Sequence, residues 1–196
     1  YQADNGFAVS SNLTTKDGED TNGMITDEGQ TSWATQVGFT KPQYAVSAML
    51  NMKYNGWSDS YFQSAAGKSR PGDGNSTNVG LRGWWRPEST GTATPSISVG
   101  YDISETDATG NSETTAYFVG LTWQDIINAD DRIGIAFGQP QKHEDDTIDP
   151  FLYEVYYDYK VNDSVTVTPA IFGGTSNVGG TEVDMAGYVV HTTFKF

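Results

Sequence analysis

The stretch Tyr44-Ala45-Val46-Ser47-Ala48-Met49-Leu50-Asn51-Met52-Lys53-Tyr54 puts Tyr44, Val46, Ala48, Leu50, Met52 and Tyr54 on one parity and Ser47, Asn51 and Lys53 on the other, with Met49 the exception. Successive side chains of an extended chain point to opposite faces, so this period of two predicts a strand with one apolar and one polar face. The pattern recurs upstream at Phe7-Val9-Leu13 and Trp33-Val37-Phe39. Downstream it returns at Val79-Leu81-Trp85, Ile97-Val99-Tyr101-Ile103, Tyr117-Val119-Leu121-Trp123 and Ile133-Ile135-Phe137. It ends with Tyr153-Val155-Tyr157-Tyr159, Val165-Val167-Ile171 and Tyr188-Val190-Phe194-Phe196. About ten strands are predicted, with one helical turn over residues 124–131.

Composition limits what such a chain can be. Aromatic residues at 13% and 22 glycines in 196 residues speak against disorder and against a helical bundle. No apolar run approaches the ~20 residues of a membrane-spanning helix. Eleven basic against 25 acidic residues give a net charge of −14, which disfavours a nucleic-acid partner. With no cysteine there is no disulfide, thiol nucleophile or cysteine-bound metal. The chain opens at Tyr1 and is read as a processed form or a fragment.

The connections alternate in length. Long acidic or glycine-rich stretches are predicted at 16–29, 56–76, 104–113, 139–149 and 174–183, and shorter connections at 41–43, 87–94, 124–131 and 161–164. An antiparallel meander places alternate connections at opposite ends, so one end carries loops and the other turns, as in outer-membrane barrels. The aromatics Trp33, Tyr44, Tyr54, Trp85, Trp123, Tyr159, Tyr188 and Phe196 fall on the apolar parity near strand ends, with Trp33, Trp85 and Trp123 assigned to the short-turn end as interfacial anchors. A transmembrane β-barrel accounts for both features; the competing reading is a soluble β-sandwich, which has no reason to sort its loops.

Gly80-Leu81-Arg82-Gly83-Trp84-Trp85-Arg86-Pro87 with Thr94-Pro95-Ser96-Ile97-Ser98-Val99-Gly100-Tyr101 resembles cyanobacterial outer-membrane porins of the OprB-like, carbohydrate-selective family. Residues 117–125, 131–140 and 164–173 resemble them too, as does the ending Thr192-Thr193-Phe194-Lys195-Phe196. The resemblance implies that residues 1–196 are the C-terminal portion of a barrel of about sixteen strands. The signal peptide and surface-layer-homology domain of the family are absent from this chain. It further implies a homotrimer in the cyanobacterial outer membrane, in contact with its lipid. The implied cargo is inorganic ions (iron among them), other small polar solutes or carbohydrate, carried passively. Phe194 and Phe196 match the terminal signal read by the barrel-assembly machinery. A closed barrel of ten strands is the alternative, and a surface binding or adhesion module is the reading from a different class.

The polar parity holds the candidate pore-lining residues Lys53, Arg82, Arg86, Arg132, Glu154, Asp158 and His191, with Trp84 and Tyr156 its aromatic members. Lys53, Arg82, Arg132, Glu154 and His191 are placed at or near mid-strand. Opposed charges across a narrow water path set selectivity; the same pairs also serve as struts that neutralise one another. Glycines at 38, 80, 100, 120, 134, 138 and 187 share this parity and either leave a smooth wall or relieve curvature. The acidic loops around Asp17–Glu28 and Glu144–Asp149 are read as solvated tips, with bridging of divalent cations the alternative. No catalytic residue, metal site or cofactor is assigned, since no carboxylate pair or nucleophile elbow is present.

Overall fold

The computed structural model describes residues 1–16, 18–23, 26–57, 74–107 and 113–195. Each period-two segment forms a strand: β1 (Phe7–Thr15), β2 (Thr31–Lys41), β3 (Tyr44–Tyr54), β4 (Ser76–Trp85), β5 (Ser96–Thr106), β6 (Glu113–Gln124), β7 (Arg132–His143), β8 (Phe151–Asn162), β9 (Val165–Val178) and β10 (Thr181–Phe194). The ten lie in one antiparallel sheet in strict chain order, an up-and-down meander, and no helix occurs among the described residues. A sandwich would divide these strands between two sheets. The sheet is open rather than closed into a barrel, with β1 and β10 at its edges. Residues 1–3 turn back along part of β1, the Val9 amide donating to Tyr1 O at 2.9 Å and the Ala3 amide to Phe7 O at 2.8 Å.

The two ends differ as alternation requires, with three corrections. Residues 174–183 are not a loop: β9 and β10 run through them and join at Gly179-Gly180, whose φ angles of 61° and 84° suit a tight hairpin turn. Residues 125–131 form no helical turn. The buried Asp131 carboxylate instead accepts the amides of Ile126, Ile127 and Asn128 at 3.0, 3.1 and 2.8 Å, holding the segment as a side-chain-capped loop. Trp33 lies at the long-loop end, because β2 begins there and its register pairs Trp33 with Leu13 and Met52. Trp85 and Trp123 do sit at the short-turn end, where Tyr44 pairs with Trp85 and the Trp123 indole donates to Ala93 O at 2.9 Å.

Proline marks one of the irregularities of the ladder. The β6–β7 register slips between Thr115 and Tyr117, opposite the β7 segment that contains Pro140, which has no amide to donate. Both rims are laced by hydrogen bonds between successive connections. At the short-turn end Arg86 Nε donates to Pro42 O at 2.7 Å and Lys160 Nζ to Asp130 at 2.8 Å; at the other, Asn55 Nδ2 donates to Gly29 O at 2.9 Å and Asn75 Nδ2 to Asp107 at 3.0 Å.

Burial is inverted relative to a water-soluble domain. Among the described residues the single buried hydrophobic side chain is Ala170, whereas Lys53, Ser76, Asn78, Ser104, Thr114, Asp131, His143 and Asp146 are buried. Most of the large apolar side chains stand exposed on the opposite face, where Trp33 is 45% exposed, Leu81 47% and Tyr188 83%. The sheet carries no apolar core of its own.

Candidate functional site

Cross-strand partners share a face, so the registers resolve the polar face into rows. Nearest the long loops, Asn51, Asn78, Ser104, Thr114 and His143 are neighbours on five consecutive strands. Ser32 Oγ donates to Asn51 Oδ1 at 3.0 Å, Asn78 Nδ2 donates to Asn51 O at 3.1 Å, and Ser104 Oγ donates to Asn78 Oδ1. His143 is fully buried, and its Nδ1 accepts the Asp145 amide at 3.1 Å, which leaves the proton of the neutral ring on Nε2. Asp146 accepts the His143 amide at 3.0 Å, and Thr114 Oγ1 is buried with no hydrogen-bond partner among the described residues. Sequence reading singled out none of Asn78, Ser104, Thr114 and His143 as site residues. Ser104 and His143 fell in stretches read as connections, 104–113 and 139–149, into which β5 and β7 in fact extend, and Asn78 and Thr114 offered nothing beyond their parity.

The middle of the face holds its clearest charge pair. Arg82 Nη2 donates to both carboxylate oxygens of Asp102 at 2.9 and 2.8 Å, and Nη1 donates to Leu81 O at 2.8 Å. The guanidinium lies 5.8 Å from the Phe118 ring centroid, within cation–π range. Ser10, Gln36, Ser47, Arg82, Trp84 and Phe118 border a groove of about 650 Å³ over this half of the sheet.

The β6–β10 half of the face is less polar than its parity implied. Phe118, Leu152 and Met185 share one row with Gly138 and Gly174 between them, and Glu154 stands between Ala136 and Phe172 in the next. The glycines here do not leave a smooth wall. A Cβ on Gly134 would lie 2.0 Å from the Tyr156 ring, and rings of Phe118 and Phe172 cover Gly100 and Gly187 in the same way. Phe118 and Phe172 therefore join Trp84 and Tyr156 as aromatic members of this face; each lies on the polar parity beside an outward Tyr117 or Ile171 that drew the reading away from it.

The candidate residues occupy several rows and not one ring. Arg82 is in the middle. Lys53 is the penultimate residue of β3, buried at the long-loop end, and Arg132 is the first residue of β7 at the short-turn end, so neither is mid-strand. Arg132 pairs with Asp158, whose carboxylate accepts the Thr168 hydroxyl at 2.6 Å, and Thr168 pairs with His191. The structure thus brings Arg132, Asp158 and His191 together near the short-turn rim. Arg86 stacks over Trp84 at 5.6 Å from the ring centroid. Phe194 ends β10 and is exposed, while Phe196 lies outside the described residues.

Carboxylates concentrate at the long-loop rim, from Glu19, Asp20, Asp27 and Glu28 to Glu144, Asp145, Asp146 and Asp149. Glu28 accepts Asn22 Nδ2 at 2.6 Å and Asp149 pairs with Lys142; Asp17 lies outside the described residues. Among the described residues no group of three or more His, Asp or Glu is placed to hold a metal ion. At the opposite rim, burial alone would raise the pKa of Asp131. The Asn128 amide, the Tyr157 hydroxyl and the Ile127 and Ile126 amides outweigh it and hold the carboxyl below its ordinary 3.8. Comparison of the chain with protein-family models, with curated proteins and with solved structures finds no match.

Proposed function

We propose that this chain is wall of an outer-membrane porin, its apolar face against lipid and its polar face along a water-filled path for inorganic ions and small polar solutes. The observation that carries the reading is the inverted burial: the buried strand side chains are almost all polar and gather mainly on one face, while large apolar side chains stand exposed over the whole of the other. Water disfavours such a surface, whereas hydrocarbon favours it and requires that backbone groups be paired, as the continuous ladders do. The sheet edges β1, covered only in part by residues 1–3, and β10 then call for closure by further strands, in keeping with a barrel of about sixteen. The short turns face the periplasm, and Phe194 and Phe196 form the terminal signal for assembly. The homotrimer belongs to this same reading.

The test is planar-bilayer conductance of the full-length protein, with reversal potential in asymmetric salt. Ohmic channels with a measurable ion preference support the reading; a chain that stays soluble and monodisperse without detergent and conducts nothing sinks it in favour of an adhesion module. Carbohydrate is the second reading, favoured by the aromatics Trp84, Phe118, Tyr156 and Phe172 on the polar face, on which a sugar ring could stack. Block of ion current by millimolar sugar, relieved in Trp84→Ala, distinguishes it.

A further inference from the structure

Glycine stands out on the apolar face, because that face is otherwise lined with branched and aromatic side chains. Gly173 there has a packing reason: a Cβ would meet the Tyr153 hydroxyl at 2.9 Å. Gly83 has none. A Cβ on it would make ordinary contacts, 3.5 Å to Val99 Cγ2 and 3.7 Å to Ala45 O, and its backbone is not in the left-handed region. Glycine weakens a strand, so its presence at a position that accepts a side chain asks for another account. What Gly83 provides is space. With Ala48 it forms the floor of an apolar groove of about 600 Å³ walled by Phe39, Val46, Leu81 and Val99.

The register shows what stands at the head of this groove. Phe39, Val46, Gly83 and Val99 share a row, and the next row toward the short-turn end is Lys41, Tyr44 and Trp85. The Lys41 ammonium lies 5.2 Å from the Phe39 ring centroid, and Phe39 lies 6.3 Å from Tyr44. Among the described residues Lys41 pairs with no carboxylate, whereas Lys160 on the same rim is bound by Asp130 and Asp163. An apolar slot, a tyrosine and a tryptophan at its end, and an uncompensated cation beside them match the order of groups along a lipid: acyl chain, interface, phosphate.

We propose that the groove over Gly83 binds an acyl chain of an anionic glycerophospholipid whose phosphate rests on Lys41. This inference rests on the reading of the apolar face as lipid-facing and adds to it a discrete site with a headgroup preference.

The test uses the full chain in mild detergent, offered phosphatidylglycerol or phosphatidylcholine with identical acyl chains, with bound lipid counted by native mass spectrometry. The wild type should retain phosphatidylglycerol over phosphatidylcholine by about fivefold, the effect of one lysine at a charged membrane surface. Lys41→Gln should erase that preference, and Gly83→Leu, which fills the slot, should lower retention of both lipids. Lys16→Gln, at the opposite rim, should change neither. Equal retention of the two lipids by the wild type overturns the proposal, as does Lys41→Gln behaving as wild type; should Gly83→Leu fail to fold, Lys41→Gln decides alone. A chain that needs detergent yet shows no headgroup preference defeats this site only. One that stays monodisperse without detergent and takes up neither lipid defeats the lipid-facing reading with it.

Discussion

Arg82 and Asp102 form a bidentate ion pair across β4 and β5, so this part of the polar face carries two opposite charges. Each can be removed separately. Arg82→Ala should shift the reversal potential toward cations and Asp102→Asn toward anions, and the double variant should return close to wild type. Because the Arg82 side chain is 39% exposed, the pair contributes only about 0–1 kcal/mol to stability, and all three variants should fold. At the short-turn rim, Asp131 offers a test by pH. Its carboxyl is held below the ordinary value in the folded chain, so the stabilisation is present above the unfolded pKa of ~3.9 and is lost as pH falls through the lower folded value. Amide exchange at Ile126, Ile127 and Asn128, corrected for intrinsic rate, should stay protected at pH 5 and open in strong acid. Asp131→Asn should open the same three amides at neutral pH; unchanged protection there would show that the loop stands without its carboxylate.

At the scale of elements, the β9–β10 hairpin shows where pattern reading stops. Residues 174–183 contain three glycines among mostly polar residues and look like a loop, yet only Gly179 and Gly180 form the turn. The strands on either side are held by continuous pairing from Thr181–Val178 through Phe194–Val165. Both turn positions have positive φ, where a side chain costs about 1–2 kcal/mol. Gly180→Val should therefore lower the stability of β10 by about that amount, read as faster exchange of β10 amides while the Pro42-Gln43 hairpin of β2 and β3 is unaffected. The same limit explains 124–131. Its apolar Ile126 and Ile127 suggest a helical turn, but both are exposed, and Asp131 takes up the amides that a helix would have used.

For the whole molecule, the inverted burial makes opposite predictions in bilayer and in water. Leu81 sits on the apolar face and Ser47 on the polar face of neighbouring strands. In a lipid-embedded sheet Leu81→Arg should destabilise by about 2–4 kcal/mol near the midplane. On a water-exposed surface the same change stays within about 0.5 kcal/mol. Ser47→Arg should be tolerated in either setting. Denaturant unfolding of the vesicle-reconstituted chain measures the difference, and equal midpoints for the two variants would remove the apolar face from lipid.

Ten strands, their two faces and the meander were legible from alternation alone, because a period of two is a property of the extended backbone and needs no knowledge of neighbours. Arg82, Glu154 and His191 share the polar face for the same reason. Height was not legible: Lys53 and Arg132 fall at opposite rims because register, which depends on how strands pair, sets where a residue stands along the sheet. Nor were Phe118, Tyr156 and Phe172 recognisable as lids over Gly100, Gly134 and Gly187, since each partnership joins residues on different strands. Burial itself was decided only in three dimensions. Asn78 and His143 are buried by what surrounds them in the folded chain, and Leu81 remains exposed because the sheet supplies nothing to cover it. Alternation separates two faces, but the packing of the tertiary structure decides which of them meets protein and which meets solvent.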